Sequence, residues 1–332
     1  MGRVKTVGKE IGSEFWDVPV GNGNGLFPID TKWFLSGRSA LQAILAQCPI
    51  RKAALPSWCC DSMIKPFLSA GIEVSFYPVY AQNGLKQDLT GVDADGILVL
   101  DYFGYTGQTD LSGFSGTVIR DVTHSLLSKT YDDADYYFGS LRKWAGFWTG
   151  GYGWSFHSDA PPADSGYVAS RRAAMEEKAR YISGKTEDKS YLERFAGAEE
   201  FLETAPIMAA DARDITLAKV LDADFIRKRR RENAARLLEV FSDMAVFPQI
   251  GAQDCPMFVP ILVPEGQRDA LRRHLIAHRI YCPVHWPVSE YHRLDEKTGG
   301  IYEQELSLVC DQRYTVSDMD RIIEAVNDFW KR

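Results

Sequence analysis

The chain has 332 residues, 45% hydrophobic and 25% charged, an ordinary globular make-up long enough for one large domain or two linked ones. A net charge of −7 argues against general nucleic-acid binding, and neither the opening MGRVKTVGKEIGSEFW nor any later stretch has the apolar run of a leader or a membrane span. Cys48, Cys59, Cys60, Cys255, Cys282 and Cys310 show no CxxC or Cys/His ligand spacing and are too few for a disulfide scaffold, so no metal site and a cytoplasmic setting are expected.

In chain order, GNGNG (21–25) reads as a loop, since no strand precedes it. SGRSALQAILAQ (36–47) then opens like a helix, with Ser36 or Ser39 as cap and Leu41, Ile44 and Leu45 on one face. KAALPS (52–57) is a short strand. CDSMIKPFLSAG (60–71) is a helix closed by Gly71. IEVSFYPV, GILVLDYF, TVIRDVT, DYYFGSL and GGYGWSF follow as short, nearly continuous apolar runs, the pattern of strands buried on both faces. Alternating strands and helices predict a mostly parallel sheet with helices on each side.

Residues 165–240 are charged and helix-rich. Within them the RKRRR run (227–231) reads as a solvated helix face rather than a nucleic-acid patch, because acidic residues surround it. In the tail, PMFVPILV, YCPVHW and ELSLVC are strand candidates. EGQRDALRRHLIAH and TVSDMDRIIEAVNDFW are helices, and Ser317 with Asp320 offers a capping box for the last one. The expected organisation is a large α/β domain over 1–220 and a small α+β domain over 221–332.

Ligands of an open parallel sheet sit beyond the carboxyl ends of its strands. Four places there carry polar groups: the turn SGRSAL at a helix N-terminus, which suits an anion; Ser57-Trp58; Asp121 with His124; and Ser140 with Lys143. Together they fit pyridoxal 5′-phosphate (PLP), which needs a phosphate cup, a stacking ring, an acid for its pyridine nitrogen and a Schiff-base lysine. Each has a plainer alternative. Lys143 has the reading of an ordinary strand-end lysine, which Asp121, Trp58, Ser39 and Ser140 in register count against; Asp121 that of a helix cap or metal ligand, His124 that of a core histidine and Trp58 that of core. Tyr102, Phe103 and Tyr105 either line a substrate pocket or only pack.

The ordered series SGRSAL, PSWCCDSMIKPFLSAG, DYFGYTGQTD, IRDVTHS, GSLRKW and GGYG resembles the fold-type-I PLP enzymes, and most of all the DegT/DnrJ/EryC1/StrS aminotransferases, over roughly residues 10–332. The resemblance implies an α/β fold with a mostly parallel seven-stranded sheet and a homodimer with a shared active site. It gives Lys143 the Schiff base and Asp121 the pyridine nitrogen. His124 would hold the phenolic oxygen, Trp58 would stack on the ring, and Gly37, Arg38, Ser39 and Ser140 would bind phosphate. His285 and Arg313, in the small domain, are substrate-carboxylate candidates beside Tyr102 and Tyr105. The activity implied is transfer of an amino group from an amino-acid donor, glutamate or glutamine, to a keto acceptor such as a keto sugar. A PLP-dependent lyase or decarboxylase, or a non-catalytic PLP-fold binding protein, is the alternative.

Overall fold

A computed structural model describes residues 10–23, 25–128 and 133–331 of the chain. After a two-residue strand, β1 (Ile11–Gly12), the main α/β body begins with β2 (Lys32–Phe34), α1 (Gly37–Leu45), β3 (Lys52–Pro56), α2 (Asp61–Ser69) and β4 (Glu73–Tyr77). A small hairpin, β5 (Val79–Ala81) and β6 (Leu85–Gln87), leads to β7 (Gly96–Leu100), β8 (Thr117–Asp121), β9 (Tyr136–Ser140) and β10 (Gly151–Trp154). Seven strands form one sheet in the order β2-β10-β9-β8-β7-β3-β4. Every pairing from β9 to β4 is parallel, and β10 runs antiparallel to both its neighbours. This is the mostly parallel sheet expected.

Period-2 alternation explains how the sheet is buried on both faces. In β9, Phe138 joins a cluster with Leu41 and Ile44 of α1, Ile64 and Phe67 of α2 and Ile97–Leu100 of β7. Its neighbour Tyr137 joins a different cluster, with Val122, Leu126, Leu141 and Tyr152. Apolar layers on both sides leave only the strand ends for polar chemistry. Gly71 closes the α2 segment with φ at 71°, a left-handed conformation that glycine adopts without penalty.

The helical middle comprises α3 (Ser165–Ile182), α4 (Tyr191–Thr204), α5 (Ala212–Lys219) and α6 (Ala223–Phe241). α3 and α4 pack against each other through Ala174, Met175, Tyr191 and Phe195. The remaining elements are β11 (Phe258–Leu262), α7 (Arg268–Ala277), β12 (Ile280–Tyr281), α8 (Glu296–Gln304), β13 (Glu305–Val309) and α9 (Val316–Trp330). Here β11 and β13 pair antiparallel, and a separate core gathers Leu237, Ile261, Leu271, Leu308 and Ile322. The change of core falls inside α6, where Ala223 and Ile226 pack with the main body while Ala234 onward packs with the second core. Ile11 joins that second core too, because β1 pairs in parallel with β12. The N-terminal segment, grouped by sequence with the large domain, thus docks on the small one.

Several local expectations are corrected. The last helix is capped by Thr315 with Asp318, not Ser317 with Asp320, because it begins at Val316. Asp320 instead takes the Nε of Arg236 at 2.7 Å. The RKRRR run is a solvated face only in part, at Lys228 and Arg229. Arg230 is buried and donates to the Met257 carbonyl at 2.8 Å. Arg227 and Arg231 likewise donate to backbone carbonyls, those of Leu127 and of Gly251 and Asp254. In YCPVHW only Tyr281 is in a strand. α8 escaped notice because it holds Gly299 and Gly300, poor helix formers; the Asp295 cap, whose side chain accepts from Thr298 N, starts it.

Backbones approach closely where α1 enters the sheet. A Cβ on Gly151 would fall 2.0 Å from the Ser36 carbonyl oxygen, and one on Gly37 would fall 3.3 Å from the Gly139 carbonyl oxygen. Both obstacles are main-chain atoms that have no rotamer to yield. Gly151→Ala is therefore expected to separate α1 from β10 and lower stability by about 1–3 kcal/mol, read as an earlier urea midpoint with an unchanged slope.

Candidate active site

The carboxyl ends of β8 and β9 deliver Asp121 and Ser140, and the α1 N-terminus lies against β9 beside them. Ser36 is the N-cap, its side chain accepting from Ser39 N at 3.2 Å, and the two hydroxyls are also 3.2 Å apart. The remaining amides of this first turn, with Ser39 and Ser140 beside them, make a group of donors of the kind that suits an anion. Arg38 does not face it. Its guanidinium runs the other way, donating to the Leu202 carbonyl and to Glu203 Oε1 at 3.2 Å.

Asp121 is 2% exposed. Oδ1 accepts from Thr123 N at 2.8 Å. A second buried acid, Asp101, lies close by but is fully matched: Arg120 Nη1 stands 2.7 Å from Oδ1, and Ser125 donates to Oδ2 at 2.7 Å. Among the described residues no cation pairs with Asp121 in this way. Burial, with Asp101 adding to it, pushes its pKa up to about 7 against the pull of the Thr123 hydrogen bonds and of Lys143. A buried acid in this state calls for a cationic partner, and a protonated pyridine nitrogen fits.

His124 follows three residues on and is also buried. Its Nδ1 accepts from Phe103 N at 3.2 Å, so the ring proton sits on Nε2. Burial, then the nearby His285, Lys143 and Arg230, hold its pKa well below the usual histidine range, so it is a neutral donor. Phe103 presents that amide from a left-handed conformation, φ 57°.

Lys143 ends the 3-10 turn Leu141–Lys143 that follows β9. It is exposed at the mouth of a cleft, and its charge is felt by Cys60, Asp121, His124 and Glu199. The cleft, of about 610 Å³, is lined among others by His124, Arg142, Lys143, Arg171, His285 and Arg313. His285 carries a polar chain behind it. Ser307 donates to Glu305 Oε1 at 2.5 Å and lies 2.9 Å from His285 Nδ1, while His285 N donates to Glu305 Oε2 at 2.7 Å. With the serine proton given to Glu305, Nδ1–H donates to the serine, and His285 lines the cleft.

The remaining candidates lie elsewhere. Trp58 is completely buried, stacked on Tyr102 with ring centroids 5.1 Å apart, and its Nε1 donates to the His285 carbonyl at 2.6 Å. Tyr102 is completely buried too, its hydroxyl on the Trp58 carbonyl. Tyr105 stacks on Phe247 at 4.1 Å. These rings form a wall behind the site and do not line the cleft. Arg313 does line it, but Asp311 holds its Nε at 2.9 Å and Nη2 at 2.8 Å, and Phe15 covers its face at 4.0 Å. Sequence reading missed Cys60, which caps α2 facing Lys143 and Asp121, and missed Arg142, Arg171 and Glu199. Only the adjacency of Arg142 to Lys143 could have flagged any of them.

No protein-family model matches the chain, and no curated protein does. Solved structures do match. A DegT DnrJ EryC1 StrS aminotransferase from Brucella abortus is 16% identical, with a TM-score of 0.62 over 90% of this chain and 85% of that one. Helicobacter pylori PseC, an aminotransferase involved in the biosynthesis of pseudoaminic acid, is 15% identical with a TM-score of 0.65, covering 95% of this chain and 99% of that one. Spr1654 from Streptococcus pneumoniae, described as a sugar aminotransferase and solved in a PLP form, is 14% identical with a TM-score of 0.62, covering 89% and 86%. At these identities the likeness is one of fold, and the chain has the fold of the PLP-dependent sugar aminotransferases.

The pKa of Asp121 gives stability a definite pH slope. The carboxyl titrates at 3.8 when unperturbed and at about 7 in the folded cofactor-free protein. Below both values each state holds the proton. Between them the unfolded chain loses it first, so stability falls as pH rises from 4 to 7 and levels off above. The fall is on the order of 4 kcal/mol at most. Urea midpoints of the cofactor-free protein at pH 4.5 and 7.5 should show this slope, and Asp121→Asn should flatten it.

Proposed function

We propose that this protein is a PLP-dependent aminotransferase that carries an amino group from an amino-acid donor to a keto acceptor. One observation carries the reading: the uncompensated acid Asp121, the neutral donor His124 and the amine of Lys143 converge beside an anion cup, in a fold shared with such enzymes. When bound, PLP supplies a carbonyl that takes up amines and a ring that withdraws electrons from the carbon next to nitrogen. Gly37, Ser39 and Ser140 would hold its phosphate and Asp121 its protonated ring nitrogen, with the Nε2–H of His124 on the phenolic oxygen.

The chain's own groups then divide the work. Asp121, ionised once a cation lies against it, keeps the ring nitrogen protonated. Lys143 Nζ holds the cofactor at rest. Freed by the incoming amine, it would take the proton from the donor's α-carbon and return it to the cofactor carbon on the far side of the shared nitrogen, acting as base and then as acid. The buried rings of Trp58 and Tyr102 keep water from the inner side. The donor class is glutamate or glutamine and the acceptor a ketone such as a keto sugar. The setting is cytoplasmic, and a homodimer is expected to cover the exposed side of Lys143. The solved neighbours that act on sugars support this acceptor class.

The test is chemical. Protein incubated with PLP should turn yellow, and borohydride followed by peptide mapping should place the phosphopyridoxyl group on Lys143. Lys143→Ala should keep its fold but lose exchange of the donor's α-proton by about 10²–10⁴-fold. A colourless protein, or exchange that persists without Lys143, would overturn the reading. Carbon dioxide release or net elimination would replace transfer with a lyase reaction.

A further inference from the structure

Arg171 is an unusual arginine. It is 2% exposed, on α3, and lines the same cleft as Lys143. Its Nε and Nη1 are both enclosed and neither has a hydrogen-bond partner. The face of its guanidinium rests on the Phe195 ring at 4.8 Å, which leaves the N–H edge unused. Arg142 stands alongside with its own Nε unpartnered. A buried guanidinium with idle donors is costly unless an anion meets it.

The acids nearby do not meet that need. Glu199 lies 3.6 Å from Arg171 Nη1, outside hydrogen-bond range. Its two oxygens are already taken by Arg142, at 2.9 Å from Nη1 and 3.0 Å from Nη2. Glu199 feels Lys143 as well, so one carboxylate stands among three cations. Glu14 also acts on both arginines, on Arg171 more strongly than Glu199 does, and among the described contacts it makes no hydrogen bond to either. Arg313, the arginine that sequence position suggested for a carboxylate, is already held by Asp311.

We propose that Arg171, flanked by Arg142, is a carboxylate-binding subsite of the Lys143 cleft. The inference rests on the proposed function only in taking this cleft as the one that receives substrate. Two sources offer the same chemistry: the carboxylate of the amino-acid donor, or a carboxylate on the keto acceptor. Phe195 orients the guanidinium plane, and the α3–α4 pair supplies the site, so specificity for an acidic substrate resides outside the cofactor cup.

The experiment uses Arg171→Met and Arg171→Lys, each loaded with PLP. Succinate, which carries carboxylates but no amine, is titrated by calorimetry, and L-alanine and propylamine by the change in visible absorption. Arg171→Met should melt at the same temperature or higher, since it removes an unmet charge, yet weaken succinate by about 10- to 100-fold. Loss of L-alanine binding with propylamine unchanged assigns the subsite to the donor. An unchanged ratio of these two with succinate weakened assigns it to the acceptor. Succinate affinity within twofold of the parent overturns the proposal, as does a lower melting temperature with unchanged affinities. Should Arg171→Met not fold, Arg171→Lys decides, because it keeps the charge but loses the planar fork; unchanged succinate affinity there counts against the subsite. If the protein takes up no PLP at all, the functional reading fails, and the succinate titration of cofactor-free protein still judges Arg171.

Discussion

At the inner end of β8 two carboxylates share a low-dielectric space, and only one of them is compensated. Arg120 and Ser125 complete Asp101, while Asp121 receives backbone and hydroxyl support from Thr123 and no cation. An acid so placed either keeps its proton or waits for a positive charge. The fold enforces this state, since Asp121 is the last residue of a strand buried on both faces and has nowhere else to go. What the cleft can hold follows from that imbalance.

Around it, the geometry is set by main chain more than by side chains. Gly37, Gly139 and Gly151 let the α1 N-terminus, β9 and β10 come nearly into contact, which sets the first turn of α1 against Ser140. His124 is fixed in its neutral tautomer by a backbone amide from a strained residue, Phe103. Strain of this kind persists where surrounding structure over-determines it. Here the same loop also accepts from Met257 N and Cys255 N through the Phe103 and Gly104 carbonyls, so the site is tied to the segment that leads into β11.

The second core contributes a wall and a charge pattern. The Glu305–Ser307–His285 chain holds an imidazole at the cleft next to His124, with ring centroids 6.0 Å apart. Arginines line the other side. Some are tied down, as Arg230 is over Trp144 at 4.6 Å and Arg313 is by Asp311, and these hold the two cores together. Arg171 is not tied down in this way. Buried cations in one cleft thus separate into those whose donors are all matched and those, Arg171 and Arg142, that keep donors without a partner.

The order of strands and helices was legible from the sequence because continuous apolar runs, a helix-opening serine and a closing glycine are local signals. Asp121, His124, Ser140 and Lys143 were legible as strand-end residues for the same reason. Side-chain direction was not. Trp58 and Tyr102 read as pocket residues, yet they stack into core, because a strand end offers both an inward and an outward side and only packing decides between them. Arg38 turned to Glu203 and the RKRRR run turned to backbone carbonyls for want of any sequence rule linking residues tens of positions apart. By itself the sequence determined the alternating architecture and which chemical groups sit at its strand ends. The tertiary structure alone decided which of those groups share a cleft and which charges there remain unmatched, since charge compensation is a property of distances that no linear spacing encodes.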